Sequence, residues 1–375
     1  MKIALVGTTF PFRGGIANFN DRLCQQLNNE NHQVDIYTFT VQYPKILFPG
    51  KTQLSSNEKP KELNIIRSIH SLNPFSWLIT GNRIKNKNYD IVIIPFWLPL
   101  MSFSLAIIAR IIKNNRQTQL ISIAHNIIPH ESRLGDKFLT KFFIKPIDKF
   151  MVLTKKVMYD LHQFNITKQC AVSPHPVYDN FGDAIEQDKA IKKLGLHPKF
   201  NYILFFGLIR DYKGLDLLIE AMARIRTTNQ NIKLIIAGEY YSDKSFYDNL
   251  INKLNLNDCI IQFDKYIPDN EVSNIFCASD LVVQPYKTAT QSGVTQIAYH
   301  FEKPMIVTDV GGLKEMCPHE KVGFVVQPNK NEIANAINRF YEKNLAKEME
   351  KNIQFEKQKY SWSIFTEKLL SLKDN

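Results

Sequence analysis

The chain has 375 residues, of which 44% are hydrophobic, 22% charged and 11% aromatic, and its formal net charge is +11. This composition excludes a disordered, collagenous or low-complexity protein, because it supplies enough apolar side chain to bury large cores. At roughly 150 residues per domain, the length predicts two or three domains. The five cysteines occur without a CxxC pair, which predicts reduced thiols in a cytosolic protein and no disulfide framework.

The sequence contains no pattern typical of a targeting signal or a membrane span. The first apolar run ends at Gly7, which is too early for a signal-peptide core, and we interpret it as a buried strand. The longest apolar stretch, residues 103–112, contains Arg110. It is far shorter than the roughly 20 residues that a helix needs to cross a bilayer. We therefore expect a cytoplasmic protein that is not integral to a membrane.

Short runs rich in Ile, Val, Leu and Phe recur along the chain and alternate with stretches of helical period. This alternation is typical of parallel strands that crossover helices bury on both faces. The predicted strands form a first series at 2–6, 33–39, 63–67, 90–95, 119–124, 150–153 and 169–172, and a second at 202–206, 232–237, 259–263, 281–284, 305–308 and 324–326. The sequence predicts an α/β protein with two tandem Rossmann-like, doubly wound domains that face each other across a cleft.

The boundary between the two domains is predicted at residue 176, near a Pro-His-Pro sequence and a charged helical stretch. Residues 1–176 form the predicted first domain and residues 177–359 the second. A terminal helical segment, 360–375, follows the last strand and two further helical patterns. Because no strand of the second sheet remains for this helix to cover, we expect it to cross back to the first domain.

The positive charge is concentrated in the first half of the chain. Residues 1–175 contain 22 Lys and Arg against 10 Asp and Glu, whereas residues 176–375 contain 25 against 26. This asymmetry indicates contact with an anionic partner, either a phosphorylated lipid surface or a nucleic acid, or it serves solubility alone. No helix-turn-helix, zinc-finger or aromatic sheet signature accompanies the basic residues, so nucleic acid is the least favoured partner.

One basic segment, DKFLTKFFIKP from Asp136, has the pattern of an amphipathic helix. Lys137, Lys141 and Lys145 are four residues apart on one stripe, beside a face of Phe and Leu. Such a helix either lies on an anionic membrane leaflet or packs its phenylalanines into the core of the domain.

Ligands of open parallel sheets bind at the carboxyl ends of the strands, so residues directly after predicted strands are candidate site residues. Gly14 and Gly15 follow the first strand at a helix start, where backbone amides bind phosphate or sugar hydroxyls, or simply form a tight turn. His125 follows the fifth strand and suits a hydrogen bond to a sugar hydroxyl or a shift of charge during reaction. His130 and Glu131 are close in sequence, but no second pair of tetrahedral spacing exists, so no metal site is predicted.

The first strand of the second series leads into a loop that contains Gly207, Arg210 and Lys213, and a helix begins near residue 214. A guanidinium and an ammonium in one short loop at the carboxyl edge of a sheet suit a bound diphosphate. The alternative is a pair of solvated loop charges, partly balanced by Asp211.

Two further loops reach the same edge of the second sheet. Gln291, Ser292, Gly293 and Val294 begin a helix after the fourth strand of this series, and a Gly-Gly pair follows the fifth. Their backbone amides predict a second cradle, for phosphate and ribose. Glu315, just inside the helix predicted to follow, either accepts hydrogen bonds from ligand hydroxyls or caps that helix.

Taken in order, these motifs resemble the family 4 glycosyltransferases, which have the GT-B fold. The resemblance covers nearly the whole chain and rests on five motifs: the Gly14-Gly15 loop, His125-Asn126, the G-x-x-R-x-x-K-G stretch 207–214, the KPMIVTDVGG run from residue 303, and the terminal helix that begins YSW at residue 360. It implies a retaining hexosyltransferase that takes a sugar from a nucleotide-sugar donor bound mainly by the second domain. The acceptor would bind to the first domain.

The resemblance also implies roles for individual residues. Lys213 matches the phosphate-binding lysine of the family, and Arg210 lies two positions beyond the usual arginine. His125 matches the histidine near the donor sugar, and Gly15 matches the amide that contacts the phosphate or sugar.

Typical members also carry two glutamates eight residues apart, and the corresponding positions here are Ala289 and Ile297. The sequence therefore resembles a divergent branch of the family. We expect Gln291, the 292–294 amides and Glu315 to share the roles of the glutamates.

The predicted function is transfer of a sugar, with retention, to a saccharide or lipid-linked saccharide acceptor in bacterial cell-surface polysaccharide or glycolipid synthesis, with UDP favoured over GDP as the donor nucleotide. No metal or other cofactor is expected, because no D-x-D motif occurs and Arg210 and Lys213 would balance the charge of the leaving diphosphate. The expected location is the cytoplasm, with peripheral contact of the basic first domain at the inner face of the membrane. The alternatives are another GT-B enzyme, such as a nucleotide-sugar epimerase or a phosphorylase, and a catalytically silent nucleotide-sugar-binding protein.

Overall fold

The computed structural model describes residues 1–44, 52–55, 60–128, 134–164, 166–290 and 292–374. Contacts between residues divide the chain into two compact units, Met1–His175 with Trp362–Asn375, and Pro176–Ser361. The first unit therefore contains the two ends of the sequence, and the second unit is inserted between them.

Each unit contains one parallel sheet. The strands of the first unit are β1 (Lys2–Val6), β2 (Gln33–Val41), β3 (Asn64–His70), β4 (Ile91–Ile93), β5 (Gln119–Ala124), β6 (Lys149–Val152) and β7 (Cys170–Val172), and those of the second are β8 (Asn201–Phe206), β9 (Ile232–Ala237), β10 (Ile260–Phe263), β11 (Leu281–Gln284), β12 (Met305–Thr308) and β13 (Gly323–Val326). Every predicted strand is present, and no boundary differs by more than three residues.

The order of the strands is that of doubly wound sheets. It is β3-β2-β1-β4-β5-β6-β7 in the first sheet and β10-β9-β8-β11-β12-β13 in the second. In both sheets the chain reverses its direction of winding beside the first strand, so switch points lie between β1 and β4 and between β8 and β11. The structure confirms the prediction of an α/β protein with two Rossmann-like domains.

Helices connect the strands and cover the sheets. They are α1 (Gly15–Asn29), α2 (Pro74–Asn86), α3 (Ser102–Lys113), α4 (Asp136–Ile144), α5 (Lys155–His162), α6 (Gln187–Lys193), α7 (Leu215–Thr228), α8 (Lys244–Lys253), α9 (Asp269–Cys277), α10 (Gly293–His300), α11 (Lys330–Glu342), α12 (Ala346–Glu356) and α13 (Trp362–Leu370). Within the described residues, none of these helices is both long and apolar enough to cross a membrane.

Each unit has its own hydrophobic core, because parallel strands are covered on both faces and their Ile, Val and Leu side chains are excluded from water. The terminal helix α13 belongs to the first unit for a specific reason. Its Trp362 and Phe365 are buried against Phe19 of α1, with ring centroids 5.3 and 5.6 Å away. Thr366 also donates a hydrogen bond of 2.7 Å to Glu30 at the end of α1.

Helix α4 combines the two alternatives considered for the basic segment. Its Phe143 is fully buried in the first core, as the packing alternative requires. Phe142 and Leu139 are half-buried, whereas Phe138 is 66% exposed beside the exposed Lys137. The phenylalanines therefore do not form one buried face, and part of the apolar surface of α4 stays in contact with solvent.

Candidate functional site

The loop after β1 lies at the switch point of the first sheet. A Cβ at Gly7 would lie 3.2 Å from the ring of Pro95, which follows the neighbouring strand β4. Gly14 precedes α1 with φ of +112°, a conformation that favours glycine, and helix α1 begins at Gly15. The positive end of the dipole of α1 therefore lies at this edge of the sheet, where anions and hydroxyls bind.

Hydrogen bonds from neighbouring elements hold this loop in place. The Thr8 hydroxyl donates to Gln42 over 2.6 Å, and the Asn20 amide donates to the carbonyl of Thr8 over 2.8 Å. The backbone N–H of Phe10 donates to the Asp21 carboxylate over 3.2 Å. A loop braced in this way presents its backbone to a ligand in a preorganised geometry.

His125 follows β5 at the same edge, and its environment is apolar. Its side chain is 1% exposed, and the ring of Phe19 packs edge-on against it with centroids 4.9 Å apart. Its backbone N–H donates to the carbonyl of Phe96 over 2.8 Å. The Nε2 atom has no hydrogen-bond partner in the described part of the chain, and an orphaned buried nitrogen is costly unless a ligand satisfies it.

Burial lowers the pKa of His125 to about 3, with a smaller contribution from nearby His175. The imidazole is therefore neutral at physiological pH, where it can make a hydrogen bond but carries no charge. This favours the hydrogen-bonding interpretation of His125 over the charge-shift interpretation. His130 and Glu131 lie outside the described residues, and no group of three His, Cys, Asp or Glu within the described ranges is arranged to hold a metal ion.

In the second unit, the loop after β8 brings Lys213 back to the end of the strand. A Cβ at Gly207, which has φ of +102°, would lie 3.1 Å from Nζ of Lys213 and 3.7 Å from a methyl group of Val294. Nζ of Lys213 is also 5.6 Å from the centroid of the Tyr286 ring. The structure thus places Gly207, Lys213 and Val294 together, and adds Tyr286, which the sequence analysis missed.

The loops after the two strands at this switch point pack directly against each other. Gly214 has φ of +68°, and a Cβ there would lie 2.0 Å from the carbonyl oxygen of Pro285. On the other side, the backbone N–H of Lys287 donates to the carbonyl of Tyr212 over 2.7 Å. Gly214 is therefore required for the close approach that positions Lys213 beside Tyr286.

The two cations of this loop are both half-buried, and each lies over a tyrosine ring. Arg210 is 5.2 Å from the centroid of the Tyr241 ring, and Lys213 is 5.6 Å from that of Tyr286. Burial, and secondarily the charge of Arg210, lower the pKa of Lys213 to about 7. Asp211 accepts a hydrogen bond from the Tyr247 hydroxyl over 3.4 Å. A lysine whose charged form is disfavoured in the absence of a ligand is typical of an anion site and disfavours the alternative of two solvated loop charges.

This electrostatic arrangement predicts proton uptake when a diphosphate binds. An anion beside Lys213 stabilises the ammonium form, so binding above pH 7 should draw a proton from solution, and affinity should fall by about tenfold per pH unit there. Calorimetry of UDP binding in buffers of different ionisation enthalpy measures this proton. Lys213→Arg is the control. Its guanidinium stays charged at these pH values, so the only proton exchange that remains on binding is the ionisation of UDP itself. Equal proton uptake by the two proteins would contradict the prediction.

The loop after β11 presents the start of α10 at the same edge. Ser292 caps this helix by accepting a hydrogen bond from the N–H of Val294 over 3.3 Å, and its hydroxyl is 3.1 Å from that of Tyr286. A Cβ at Gly293 would lie 2.9 Å from the ring of Tyr178, so this helix start also depends on glycine. Gln291 lies outside the described residues.

The loop after β12 packs onto the preceding one. Gly311 has φ of +54°, and a Cβ there would lie 1.6 Å from the carbonyl oxygen of Ala289. The N–H of Gly312 donates to the carbonyl of Thr290 over 3.1 Å. The α-helix predicted after these glycines is wrong: Glu315 lies in a single 3-10 turn, Lys314–Met316, and is exposed. Capping of an α-helix is therefore not its role.

The positions of the two absent glutamates are apolar and buried, with Ala289 8% and Ile297 5% exposed. Buried amides occur beside them. Gln284 and Gln296 are each 1% exposed, and Nε2 of the first and Oε1 of the second have no partner in the described part of the chain. Thr295 donates to Oε1 of Gln284 over 3.1 Å. The position of Gln284 as the last residue of a predicted strand was the one signal that could have found it.

Comparison with solved structures defines the class of protein. HepE from Anabaena, solved in complex with UDP, superposes with a TM-score of 0.75 at 16% identity, over 99% of this chain and 99% of that one. WaaG, a glycosyltransferase involved in lipopolysaccharide biosynthesis, superposes with a TM-score of 0.68 at 17% identity, over 96% and 95%. The protein has the GT-B glycosyltransferase fold.

Family models then match both units. The model described as Glycosyltransferase Family 4 matches residues 13–180, and the model described as Glycosyl transferases group 1 matches residues 186–360. These two matches together account for most of the chain, which belongs to the family 4 glycosyltransferases.

Two relatives match about half of the chain. YtcC of Bacillus subtilis (strain 168), named as a glycosyltransferase, is 34% identical over 200 residues, which are 51% of this chain and 47% of YtcC. The lipopolysaccharide 1,2-N-acetylglucosaminetransferase of Salmonella typhimurium (strain LT2) is 27% identical over 189 residues, 47% of this chain and 49% of that protein. The chain thus spans about half the length of the curated relatives it matches.

Proposed function

We propose that the protein transfers a sugar from a nucleotide-sugar donor, with UDP preferred to GDP, to a saccharide or lipid-linked saccharide acceptor. The observation that carries this proposal is the Lys213 site at the switch point of the second sheet. There, a lysine with a depressed pKa and the start of α10 lie beside Gly207, and the charge of Arg210 is close enough to act on the lysine. This is the arrangement that a diphosphate requires, and the UDP complex of HepE supports the choice of nucleotide.

We propose that transfer retains the anomeric configuration of the sugar. The acceptor hydroxyl attacks the anomeric carbon on the same face of the sugar from which the diphosphate leaves. The bond between the anomeric carbon and the diphosphate oxygen breaks and an oxocarbenium-like sugar forms. The acceptor oxygen then bonds to the anomeric carbon, and the departing diphosphate oxygen accepts the proton of the acceptor hydroxyl. Arg210 and Lys213 stabilise the negative charge that develops on the leaving group. Because these cations supply that stabilisation, the reaction is proposed to be independent of a metal ion.

We propose that two groups of the first unit also bind ligand hydroxyls or phosphate. The unpartnered Nε2 of His125 suits a hydrogen bond to a hydroxyl of the sugar, and the start of α1 at Gly15 suits the phosphate or the sugar. In the second unit, Gln284 and Gln296 are proposed to take the place of the absent glutamates, because their buried amides have unused hydrogen-bonding atoms. Glu315 is exposed at the same edge and stays a candidate for ligand hydroxyls.

We further propose a role in bacterial cell-surface polysaccharide or glycolipid synthesis. The match to a lipopolysaccharide N-acetylglucosaminetransferase supports this class of product. The cationic excess of residues 1–175 supports a peripheral location at the inner face of the cytoplasmic membrane, where lipid-linked acceptors and anionic lipids occur together.

The experiment that tests the donor is thermal unfolding with UDP, GDP, ADP and their common sugar conjugates. A nucleotide at 100 times its dissociation constant should stabilise the native state by about 2.7 kcal/mol, and the transition should move by several degrees. We expect the largest shift with the UDP series and a much smaller shift for Lys213→Ala. Lys189→Ala, which removes an exposed lysine of α6, is the matched control and should retain the wild-type shift.

A turnover assay distinguishes the proposed transferase from a catalytically silent binding protein. The silent alternative is favoured by the apolar residues Ala289 and Ile297, which occupy the positions of the usual glutamates. Slow release of UDP from a UDP-sugar, faster with a saccharide acceptor, is the expected result. A UDP shift without any turnover across donors and acceptors would favour the binding protein. An anomeric configuration in the product opposite to that of the donor would overturn the retaining mechanism.

A further inference from the structure

Tyr286 is a buried tyrosine that lies between the two elements of the proposed diphosphate site in the second unit. It follows the end of β11 by two residues and is 3% exposed. The ammonium of Lys213 lies over its ring, 5.6 Å from the centroid. Its hydroxyl is 3.1 Å from that of Ser292, the residue that caps α10. One side chain therefore contacts both the cationic loop and the start of the helix.

The cationic loop and the start of α10 are close enough to bind one anion. The Nζ atom of Lys213 and a methyl group of Val294 lie 3.1 and 3.7 Å from the same point, the Cβ position of Gly207. Ser292 precedes Val294 by two residues and is half-buried, so solvent or a ligand has access to it. A diphosphate bound beside Lys213 is therefore also beside the start of α10 and its capping serine.

The hydrogen bonds of Ser292 determine whether its proton is available to a ligand. A hydroxyl group has one proton and two lone pairs. The N–H of Val294 donates to the Ser292 oxygen over 3.3 Å, and this bond occupies one lone pair. The contact with Tyr286 occupies either the second lone pair or the proton of the serine. Only the first of these two arrangements leaves the serine proton free.

The burial of Tyr286 favours the arrangement in which the tyrosine donates. Within the described residues, Ser292 is the one hydrogen-bond partner of the Tyr286 hydroxyl. If the serine donated, the phenolic proton would be buried without an acceptor, which is costly. If the tyrosine donates, its proton has an acceptor and the half-buried serine keeps its own proton for a ligand. Burial also raises the pKa of Tyr286, so the phenol is protonated at neutral pH.

Neighbouring elements hold Tyr286 in place from two sides. The hydroxyl of Thr308, at the end of β12, donates to the carbonyl of Tyr286 over 2.6 Å. The ring of Tyr212, in the loop that carries Lys213, packs edge-on against that of Tyr286 with centroids 6.1 Å apart. The ring and hydroxyl of Tyr286 therefore have a fixed direction, as a group that orients other groups requires.

We propose that Tyr286 is a positioning residue for the transfer: its ring supports the Lys213 ammonium, and its hydroxyl donates to Ser292, whose own hydroxyl donates to an oxygen of the leaving diphosphate. Ser292 is then a third group, after Arg210 and Lys213, that stabilises the developing negative charge, and it carries no charge itself. The inference rests on the proposed function, because its ligand is the diphosphate of the nucleotide-sugar donor.

Removal of either hydroxyl tests this arrangement. Ser292→Gly removes the donor to the diphosphate, while glycine still tolerates the capping position. We expect it to lower the affinity for UDP and kcat/KM for the UDP-sugar by about tenfold or more, the effect of losing a hydrogen bond to a charged group. Tyr286→Phe keeps the ring beside Lys213 and loses only the donor to Ser292. Its expected effect is smaller, about threefold, because the serine proton is misdirected and not removed.

The two changes act through one chain of hydrogen bonds, so their effects should not multiply. The double variant Tyr286→Phe/Ser292→Gly should match Ser292→Gly in UDP affinity, measured by calorimetry, and in kcat/KM. Ser292→Thr retains the hydroxyl and should retain most of the activity. Uridine, which has no phosphate, should bind Ser292→Gly as tightly as it binds the wild type in an NMR titration.

The matched controls remove hydroxyls near the opposite, amino edge of the same sheet. Tyr202→Phe removes a hydroxyl that donates to the carbonyl of His197 over 2.9 Å. Ser279→Ala removes one that donates to the carbonyl of Ile275 over 3.0 Å. Both controls should lose stability in urea unfolding and keep the wild-type UDP affinity and kcat/KM. A loss of activity that merely follows lost stability would occur in these controls as well.

Wild-type UDP affinity and kcat/KM in both Tyr286→Phe and Ser292→Gly would overturn the inference, and so would effects that multiply in the double variant. Equal losses of uridine and UDP binding in Ser292→Gly would show that the serine only caps the helix, which also overturns it. None of these outcomes contradicts the proposed function, because wild-type turnover and its loss in Lys213→Ala test that function separately. Absence of nucleotide binding by the wild type would overturn the proposed function itself.

Discussion

Lys213→Ala is expected to lower kcat/KM for the nucleotide-sugar by about 10²- to 10³-fold, the effect typical of removing one preorganised group that stabilises transition-state charge. The reason is the position of its Nζ atom, beside Gly207 and over the ring of Tyr286, at the carboxyl edge of the second sheet. Arg210 remains in the variant and retains part of the attraction for the diphosphate. We therefore expect donor binding to weaken and turnover to fall further than binding does.

Steady-state kinetics with the preferred UDP-sugar measure this effect, and Lys287→Ala is the matched control. Lys287 lies on the loop after β11 but forms an exposed ion pair with Asp216, so its removal should change kcat/KM by less than threefold, about the effect of losing an exposed ion pair. Loss of activity in both variants, or in neither, would show that Lys213 is not the group that stabilises the leaving diphosphate.

The same variant has a signature without ligand. The pKa of Lys213 in the folded protein, about 7, is below that of a lysine in an unfolded chain, so the unfolded state binds more protons above pH 7. The ionisation of Lys213 should therefore increase the free energy of unfolding of the wild type as the pH rises from about 7 towards 10. Lys213→Ala should lack this increase. Denaturant unfolding at several pH values, compared between the two proteins, measures the difference. Parallel stability profiles would contradict the depressed pKa.

Gly214→Ala is expected to destabilise the second unit by about 3 kcal/mol or more and to abolish nucleotide binding. Two effects add at this position. A residue with a side chain is strained at φ of +68°, and its Cβ would lie 2.0 Å from the carbonyl oxygen of Pro285. Relief of that contact moves the two loops apart, and these loops carry Lys213 and Tyr286.

Gly195→Ala separates the two effects. Gly195 lies in the same unit with φ of +67°, but a Cβ there has no heavy atom within 4 Å, so the substitution adds backbone strain without a steric contact. We expect this control to lose only about 1 kcal/mol and to retain the thermal shift with UDP. Urea unfolding and the UDP shift measure the two consequences. Equal destabilisation of both variants, with UDP binding intact in Gly214→Ala, would show that the approach of the loops does not position Lys213.

The strands and the loop positions could be predicted from the sequence because their signals are local. Runs such as residues 3–6 are apolar on both faces, which indicates a buried parallel strand whatever its neighbours are. Glycines and cations directly after such strands, as at Gly207 and Lys213, lie at the carboxyl edge of any parallel sheet. The family motifs are local in the same sense, since each is a short continuous segment and their order along the chain can be read directly.

The ionisation of Lys213, the burial of His125 and the contact of Gly214 with Pro285 could not be predicted in this way. Pro285 follows Gly214 by 71 residues, and only the order β8-β11 in the sheet makes their loops neighbours. The exposure of the apolar side chains of α2 has the same origin. Helix α2 has apolar residues around most of its circumference, and its packing on α3 establishes which of them stay exposed. Periodicity and composition act between near neighbours in sequence, whereas burial, pKa and steric contact depend on residues that the fold brings together from distant parts of the chain.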